Sequence, residues 1–349
     1  MLPTGFVLGL LFLTNSCTKE EQQDSWFSGL SFIASIETTQ SSAQSSTHPT
    51  TRIATDNDIQ TFTPGDRIGL YAVAYENNGG MEKPRPLTST LNSADNALYI
   101  AEQSNGSVLF NSQNPIRFPS GTIKKLDVFA YYPFLESGFL NATTQLPVSV
   151  QPDQSTAANF WKSDFMTAEE ANVTPQRATT ADAQNRLKFI FSHRFALVYF
   201  EVKQGIEFNS LAELGTPTIK VTNLATQALF DWTNPASPLT PVETSTPNEI
   251  TPNGELKKNS EQATVLSGMT ALLIPQAISK ETTVCKVEAA GMTFHCKLAN
   301  DLTLKEGKSY TFTLTLNKSE ISAINSVISD WKTSHIRGNI TPDYPEIID

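Results

Sequence analysis

Few residues in this chain have the types and spacing that catalysis needs. The four histidines, His48, His193, His295 and His335, are scattered, and none stands in a zinc-holding His-Glu-x-x-His pattern. The sequence has no Gly-x-Ser-x-Gly elbow for a nucleophilic serine and no phosphate-cradling glycine loop. Asp56-Asn57-Asp58 offers the first oxygens of a calcium loop, but the glycine and the distal glutamate are missing, so it reads as a turn. Glu20-Glu21 and Glu169-Glu170 are adjacent carboxylates in polar segments, where solvated charge is a better reading than an acid–base pair. Trp161, Trp232 and Trp331 could stack on sugars, although single tryptophans in β proteins more often fill cores. The expectation is a protein with no catalytic residue, no metal site and no cofactor.

The chemistry that the chain does carry lies in its first fifty-odd residues. Pro3 to Leu13 is an apolar run, followed by Thr14-Asn15-Ser16-Cys17 and then by polar residues from Thr18 to Asp24. Such a run is too short for a bilayer-spanning helix, which needs about 20 residues, and it suits the core of an export signal. A cysteine placed there implies a bacterial lipoprotein, cut between Ser16 and Cys17 and acylated on the Cys17 thiol. Thr14 stands where leucine is usual, and no lysine or arginine precedes the run. An ordinary signal peptide with an incidental cysteine is the alternative.

Beyond the signal, Leu30-Ser31-Phe32-Ile33-Ala34-Ser35-Ile36 alternates apolar and polar residues, as a half-buried strand does. A Ser/Thr/Gln tract from Thr38 to Thr51 follows, closed by Arg52. A strand joined by a polar tract to a basic residue that a protease can reach is detachable. Its loss would leave a row of unpaired N–H and C=O groups, a template for a strand from another molecule. A surface lipoprotein on a flexible stalk is the plainer reading of the same tract.

Composition sets the remaining bounds. At 349 residues the chain is long for one domain, and 39% apolar residues suffice for a packed core. A formal charge of −10 argues against nucleic acid, because the sequence shows no basic patch to neutralise phosphates. Strand-favouring residues broken up by Pro, Asn, Asp and Gly predict an all-β protein with long loops. After Cys17 only Cys285 and Cys296 remain, a pair compatible with one disulfide in an exported chain or with two buried thiols.

The strands expected from periodicity are Ile68–Tyr75, Ala97–Ile100, Ser107–Phe110, Leu126–Tyr132, Leu187–His193, Ala196–Val202, Ala271–Ile274 and Tyr310–Leu316. Ile219–Leu224 with Ala228–Trp232 reads as a hairpin, and Thr233–Asn259 as a loop. Residues 169–185 form a polar loop and the candidate domain boundary. In the hairpin Thr283–Leu298, a turn at Ala290-Gly291 pairs Cys285 with Cys296 and Val287 with Phe294. That register puts Cys285, Val287, Phe294, Cys296 and Leu298 on one face; a one-residue slip would scramble it. The resulting division is 1–16 signal peptide, 17–52 propeptide with tether and first strand, 53–185 and 186–349 as two β domains.

Several short motifs occur in an order that resembles one known family. They are Phe62-Thr63-Pro64-Gly65-Asp66-Arg67-Ile68-Gly69-Leu70-Tyr71, Val128-Phe129-Ala130-Tyr131-Tyr132-Pro133, Ser163-Asp164-Phe165-Met166, Phe189-Ile190-Phe191-Ser192-His193-Arg194-Phe195-Ala196, Glu306-Gly307-Lys308-Ser309-Tyr310 and Ile328-Ser329-Asp330-Trp331. With the Cys17 start, the chain resembles the fimbrillins of Bacteroidales, subunits of the type V pilus. The resemblance implies two tandem β-sandwich domains of transthyretin-like topology and a non-enzymatic structural or adhesive role. It implies export as an outer-membrane lipoprotein precursor, handled by the lipoprotein processing machinery and then cut by an arginine-specific protease. Arg52 is then the expected cut site, and Leu30, Phe32, Ala34 and Ile36 the inward residues of the strand that is lost. Other pilus subunits are the expected partners by strand exchange, with a host or bacterial surface ligand for an adhesive subunit. Membrane contact is expected through the lipid alone. A glycan-binding, surface-tethered outer-membrane lipoprotein is the alternative.

Overall fold

A computed structural model describes residues 29–37, 54–56, 59–104, 107–140, 143–175, 186–242, 249–260, 262–318 and 323–330, and these are almost entirely β. The first half carries β1 (Ser31–Ile36), β2 (Ala54–Asp56), β3 (Ile59–Thr61), β4 (Arg67–Asn78), β5 (Met81–Pro84), β6 (Ala94–Ser104), β7 (Ser107–Asn111), β8 (Leu126–Tyr132), β9 (Gln145–Ser149), β10 (Met166–Val173) and β11 (Arg186–His193). The second half carries β12 (Ala196–Gln204), β13 (Thr218–Val221), β14 (Gln227–Asp231), β15 (Leu239–Val242), β16 (Asn253–Lys258), β17 (Val265–Leu273), β18 (Ala277–Ile278), β19 (Thr283–Ala289), β20 (Met292–Leu298), β21 (Leu302–Thr303), β22 (Lys308–Leu316) and β23 (Ala323–Asp330). A short helix, α1 (Ala157–Lys162), lies between β9 and β10, capped where the Asn159 N–H donates to the Thr156 hydroxyl. Among the described residues no helix is long and apolar enough to cross a membrane.

The first sheet has the order β5-β4-β6-β7-β1-β11-β10-β8, and β8 also pairs with β4. The strands from β4 round to β8 therefore close into a ring, with β5 outside it as a hairpin extension of β4. Closure removes the open edges that a sheet otherwise presents. The apolar run Leu126–Tyr132 is central, as a strand buried on both sides should be: β8 is bonded to β4 on one side and β10 on the other. Pro133, which has no N–H for a ladder, ends it.

The second sheet, β13-β19-β20-β23-β22-β12-β17-β16, is open. Its hairpin β19–β20 has the register expected from the apolar pattern: Cys285 faces Cys296, Val287 faces Phe294 and Ala289 faces Met292. Ala290 and Gly291 form the turn with φ of 52° and 71°, the left-handed region that a two-residue hairpin loop requires.

A third, three-stranded sheet, β15-β14-β9, joins the halves, since β9 comes from the first and β14 and β15 from the second. β9 and β14 pair over five positions, from Gln145↔Asp231 to Ser149↔Gln227. Around this joint runs an aromatic seam, with Tyr71 stacked on Phe139 at 3.9 Å, Phe230 edge-on to Trp232 at 5.0 Å and to Phe165 at 5.1 Å. Nearby, the fully buried Gln154 side chain bonds both the C=O and the N–H of Leu272 at 2.9 Å, taking the place of a strand partner.

Pairing differs from the expected pattern in four places. β11, which the boundary at 185 assigns to the second half, is bonded within the first sheet, and the chain changes sheet between His193 and Ala196. Alternation identifies the faces of a strand but not its neighbours, and Phe189 and Phe191 find theirs in the ring. The segment Glu169–Val173 continues β10 through a bulge, its side chains exposed up to Asn172 and hence polar. Ile219–Leu224 and Ala228–Trp232 are not a hairpin: β13 pairs with β19, and β14 with β15 and β9. Within Thr233–Asn259 lie two further strands, β15 and β16, which are short and half-exposed and so lack an apolar signature.

Candidate functional site

The first described strand, β1, is a member of the closed ring, set between β7 and β11. β1 runs parallel to β11 over six positions, from Ser31↔Arg186 to Ile36↔Phe191, and meets β7 in antiparallel fashion at Phe32↔Phe110. Both neighbours come from segments far along the chain, and among the described strands β1 is the one whose ladder joins them directly. Leu30, Phe32 and Ile36 are buried, at 1%, 0% and 3% exposure, and Ala34 packs against the same core. The outward positions Ser31, Ile33 and Ser35 are half-buried. This alternation is the one legible in the sequence.

Phe32 sits in an aromatic clamp. Its ring lies edge-on to Tyr99 at 4.7 Å and stacked on Phe189 at 5.0 Å. Phe62, just downstream of the Thr38–Arg52 tract, packs against Phe110, Phe191 and Tyr132 at 5.1–5.5 Å. The groove that holds β1 is thus lined by rings from β6, β7 and β11.

Polar contacts fix both ends of the strand. The Leu30 N–H donates to the Ile116 carbonyl at 2.8 Å, and the Glu37 N–H to the Phe191 carbonyl at 2.7 Å. The Tyr99 hydroxyl donates to the Leu30 carbonyl at 3.1 Å and accepts the Ile116 N–H at 2.8 Å. Burial pushes the Tyr99 phenol up to about 12, partly countered by the Ile116 N–H. At Gly29 a β-carbon would lie 2.3 Å from Pro115, so only glycine lets the chain enter the groove there. At the other end Ser192 donates its hydroxyl to the Glu37 carboxylate.

Sequence reasoning found the strand but not its receptor. Tyr99, Phe110 and Ile116 carry no local signal for this role, because each reads as an ordinary core residue until the ring is assembled. Ser16, Cys17 and Arg52 lie outside the described residues, as do His48, Asn57, Asp58, His335, Trp331 and the Glu20-Glu21 pair.

The other singled-out residues are dispersed. Cys285 and Cys296 face one another across the hairpin, both buried and both free thiols. Burial raises the Cys296 thiol to about 12 and pushes Cys285 upward, with Cys296 adding to the shift. Trp161 is buried on α1, and the partly buried Trp232 packs edge-on against Phe230 in the aromatic seam. His193 is buried with Nδ1 2.8 Å from an Asp164 oxygen, whereas His295 is on the exposed face of its hairpin. Glu169 and Glu170 are exposed on β10. No group of three or more His, Cys, Asp or Glu able to hold a metal occurs among the described residues.

Three solved structures show what the chain is similar to. A protein from Bacteroides ovatus described as a cell adhesion protein aligns with a TM-score of 0.57 at 18% identity, covering 87% of this chain and 98% of that one. One from Bacteroides uniformis, described likewise, aligns at 0.49 with 21% identity over 77% and 93% of the two chains. The fimbrial anchor protein Mfa2 from Porphyromonas gingivalis aligns at 0.38 with 11% identity over 87% and 97%. No curated protein matches the sequence. The profile of the fimbrillin-like family matches residues 51–331, most of the chain, and the protein belongs to that family.

Proposed function

We propose that this chain is a non-enzymatic subunit of a cell-surface pilus, made as a lipoprotein precursor whose own β1 reserves a groove for a strand from another subunit. Membership of the fimbrillin-like family supports a pilus or adhesion role. The observation that carries the finer reading is the position of β1, the first described strand, set between β7 and β11 as one member of the closed ring. Cleavage after Arg52 by an arginine-specific protease releases residues 17–52 and with them β1. The emptied groove keeps its rings and its unpaired backbone groups, which a strand of matching alternation fills with gain of apolar burial and hydrogen bonds. Cys17 carries the lipid that holds the precursor at the outer membrane until then.

Replacement of Arg52 tests this directly. Arg52→Ala should be exported normally and remain an unassembled precursor, read by amino-terminal sequencing and by gel mobility of surface fibres. If the variant enters heat-resistant, high-mass fibres with Leu30–Ile36 still attached, strand exchange is refuted and a tethered, glycan-binding lipoprotein is the better reading.

A further inference from the structure

We propose that the groove selects its partner at one end: it admits a strand, running parallel to β11, that places a glycine directly before the residue seated where Leu30 lies. Selection of this kind presupposes the strand exchange proposed above and specifies the partner. A β-carbon on residue 29 would lie 2.3 Å from both Cβ and Cγ of Pro115. Gly29 is not among the glycines with a left-handed φ, so glycine is needed here for space and not for backbone freedom. Pro115 cannot swing aside as a long side chain would, because a pyrrolidine ring is tied to its own backbone. That backbone is fixed in turn at the next residue. The Ile116 N–H donates to the buried Tyr99 hydroxyl at 2.8 Å, its carbonyl accepts the Leu30 N–H at 2.8 Å, and its side chain is buried.

Direction is read at the same place. Residue 30 is held at two points, its N–H by the Ile116 carbonyl and its own carbonyl by the Tyr99 O–H at 3.1 Å. Once β1 has left, Tyr99 offers one donor and Ile116 one acceptor, and leaving such groups unpaired in a buried site is costly. A strand entering the opposite way exchanges N–H with C=O and brings its carbonyl against that of Ile116. Two places further on, the space between the Tyr99 and Phe189 rings, filled here by Phe32, takes an aromatic side chain. The fitting partner is therefore a strand that reads, from its amino-terminal end, glycine, a large apolar residue, any residue, an aromatic residue.

Labelled peptides competing with the released segment for the mature chain, cut after Arg52, test the selection by fluorescence anisotropy. The peptide of residues 27–37 is expected to enter the groove. Gly29→Ala in that peptide should weaken it by about tenfold or more, the cost of forcing a side chain into filled space. Pro115→Gly in the protein should bring the altered peptide back to within about threefold of the unaltered one. An acetylated peptide that starts at Leu30 has nothing to set against Pro115 and should still bind, whereas the same residues in reverse order should not. Equal affinity of the glycine and alanine peptides, or no rescue by Pro115→Gly, overturns the glycine requirement and leaves strand exchange standing. Entry of the reversed peptide overturns the selection of direction. Failure of the unaltered peptide to enter overturns strand exchange itself, and the selection with it.

Discussion

Phe32→Ala removes the side chain on which the seating of the first strand depends. Phe32 is fully buried and touches two rings, Tyr99 at 4.7 Å and Phe189 at 5.0 Å. Truncating a buried phenylalanine costs about 3–5 kcal/mol, the lost ring contacts included. That cost falls on β1 alone if the strand opens before the rest of the protein does, as a terminal strand next to a polar tract is expected to. Global unfolding in urea would then understate it. The appropriate assay is native-state hydrogen exchange of β1 and its flanking amides in the precursor, such as those of Leu30 and Glu37, which donate to Ile116 and Phe191. At about 1.4 kcal/mol per factor of ten, the substitution should speed their exchange by roughly a hundredfold or more. Amides of the second sheet, for example in β12 and β22, should be unaffected. Exchange of β1 that changes less than about fivefold would mean that the clamp does not hold the strand, and the groove argument would fall with it.

Three further outcomes follow from particular residues. Tyr99→Phe leaves the Ile116 N–H without its acceptor and should destabilise the precursor by about 1–3 kcal/mol in a denaturant titration. The raised phenol adds a pH signature: its stabilisation is complete below about pH 10 and is lost as pH rises through about 12, so Tyr99→Phe should flatten the alkaline limb of stability. The thiols of Cys285 and Cys296 should resist alkylation at pH 8 in the folded chain and react on unfolding, and rapid native labelling would contradict their burial. Cys17→Ser should release the precursor from membranes or leave its signal uncut, because each buried acyl methylene contributes about 0.8 kcal/mol; unchanged acyl labelling would rule the lipid out.

How far the sequence could be read depended on the range of the interaction. Local alternation identified β1, β12 and β22, and the cross-strand register of β19–β20 followed because a slip would have exposed Val287 and Phe294. The position of β11 was not accessible in this way. Its alternating phenylalanines demanded a buried face, but the partner that supplied it, β1, lies more than a hundred residues upstream and is joined by closure of the ring. β15 and β16 went unread for the opposite reason, being half-exposed strands with almost no apolar content to display. The groove was half legible: the inward residues Leu30, Phe32, Ala34 and Ile36 could be named, while Tyr99, Phe110 and Ile116 acquire their role through pairing alone.

The three-stranded sheet has a mechanical consequence. Domains within one chain ordinarily meet over modest polar surfaces and swing about a linker. Here β9 is stitched to β14 by a ladder, the aromatic seam fills the space beside it, and Gln154 grips Leu272 from across the joint. Bending the two halves against each other would have to tear a ladder and open a packed core together. The two halves therefore move as one stiff unit, and under the strand exchange proposed above flexure would fall where one such unit is threaded into the next.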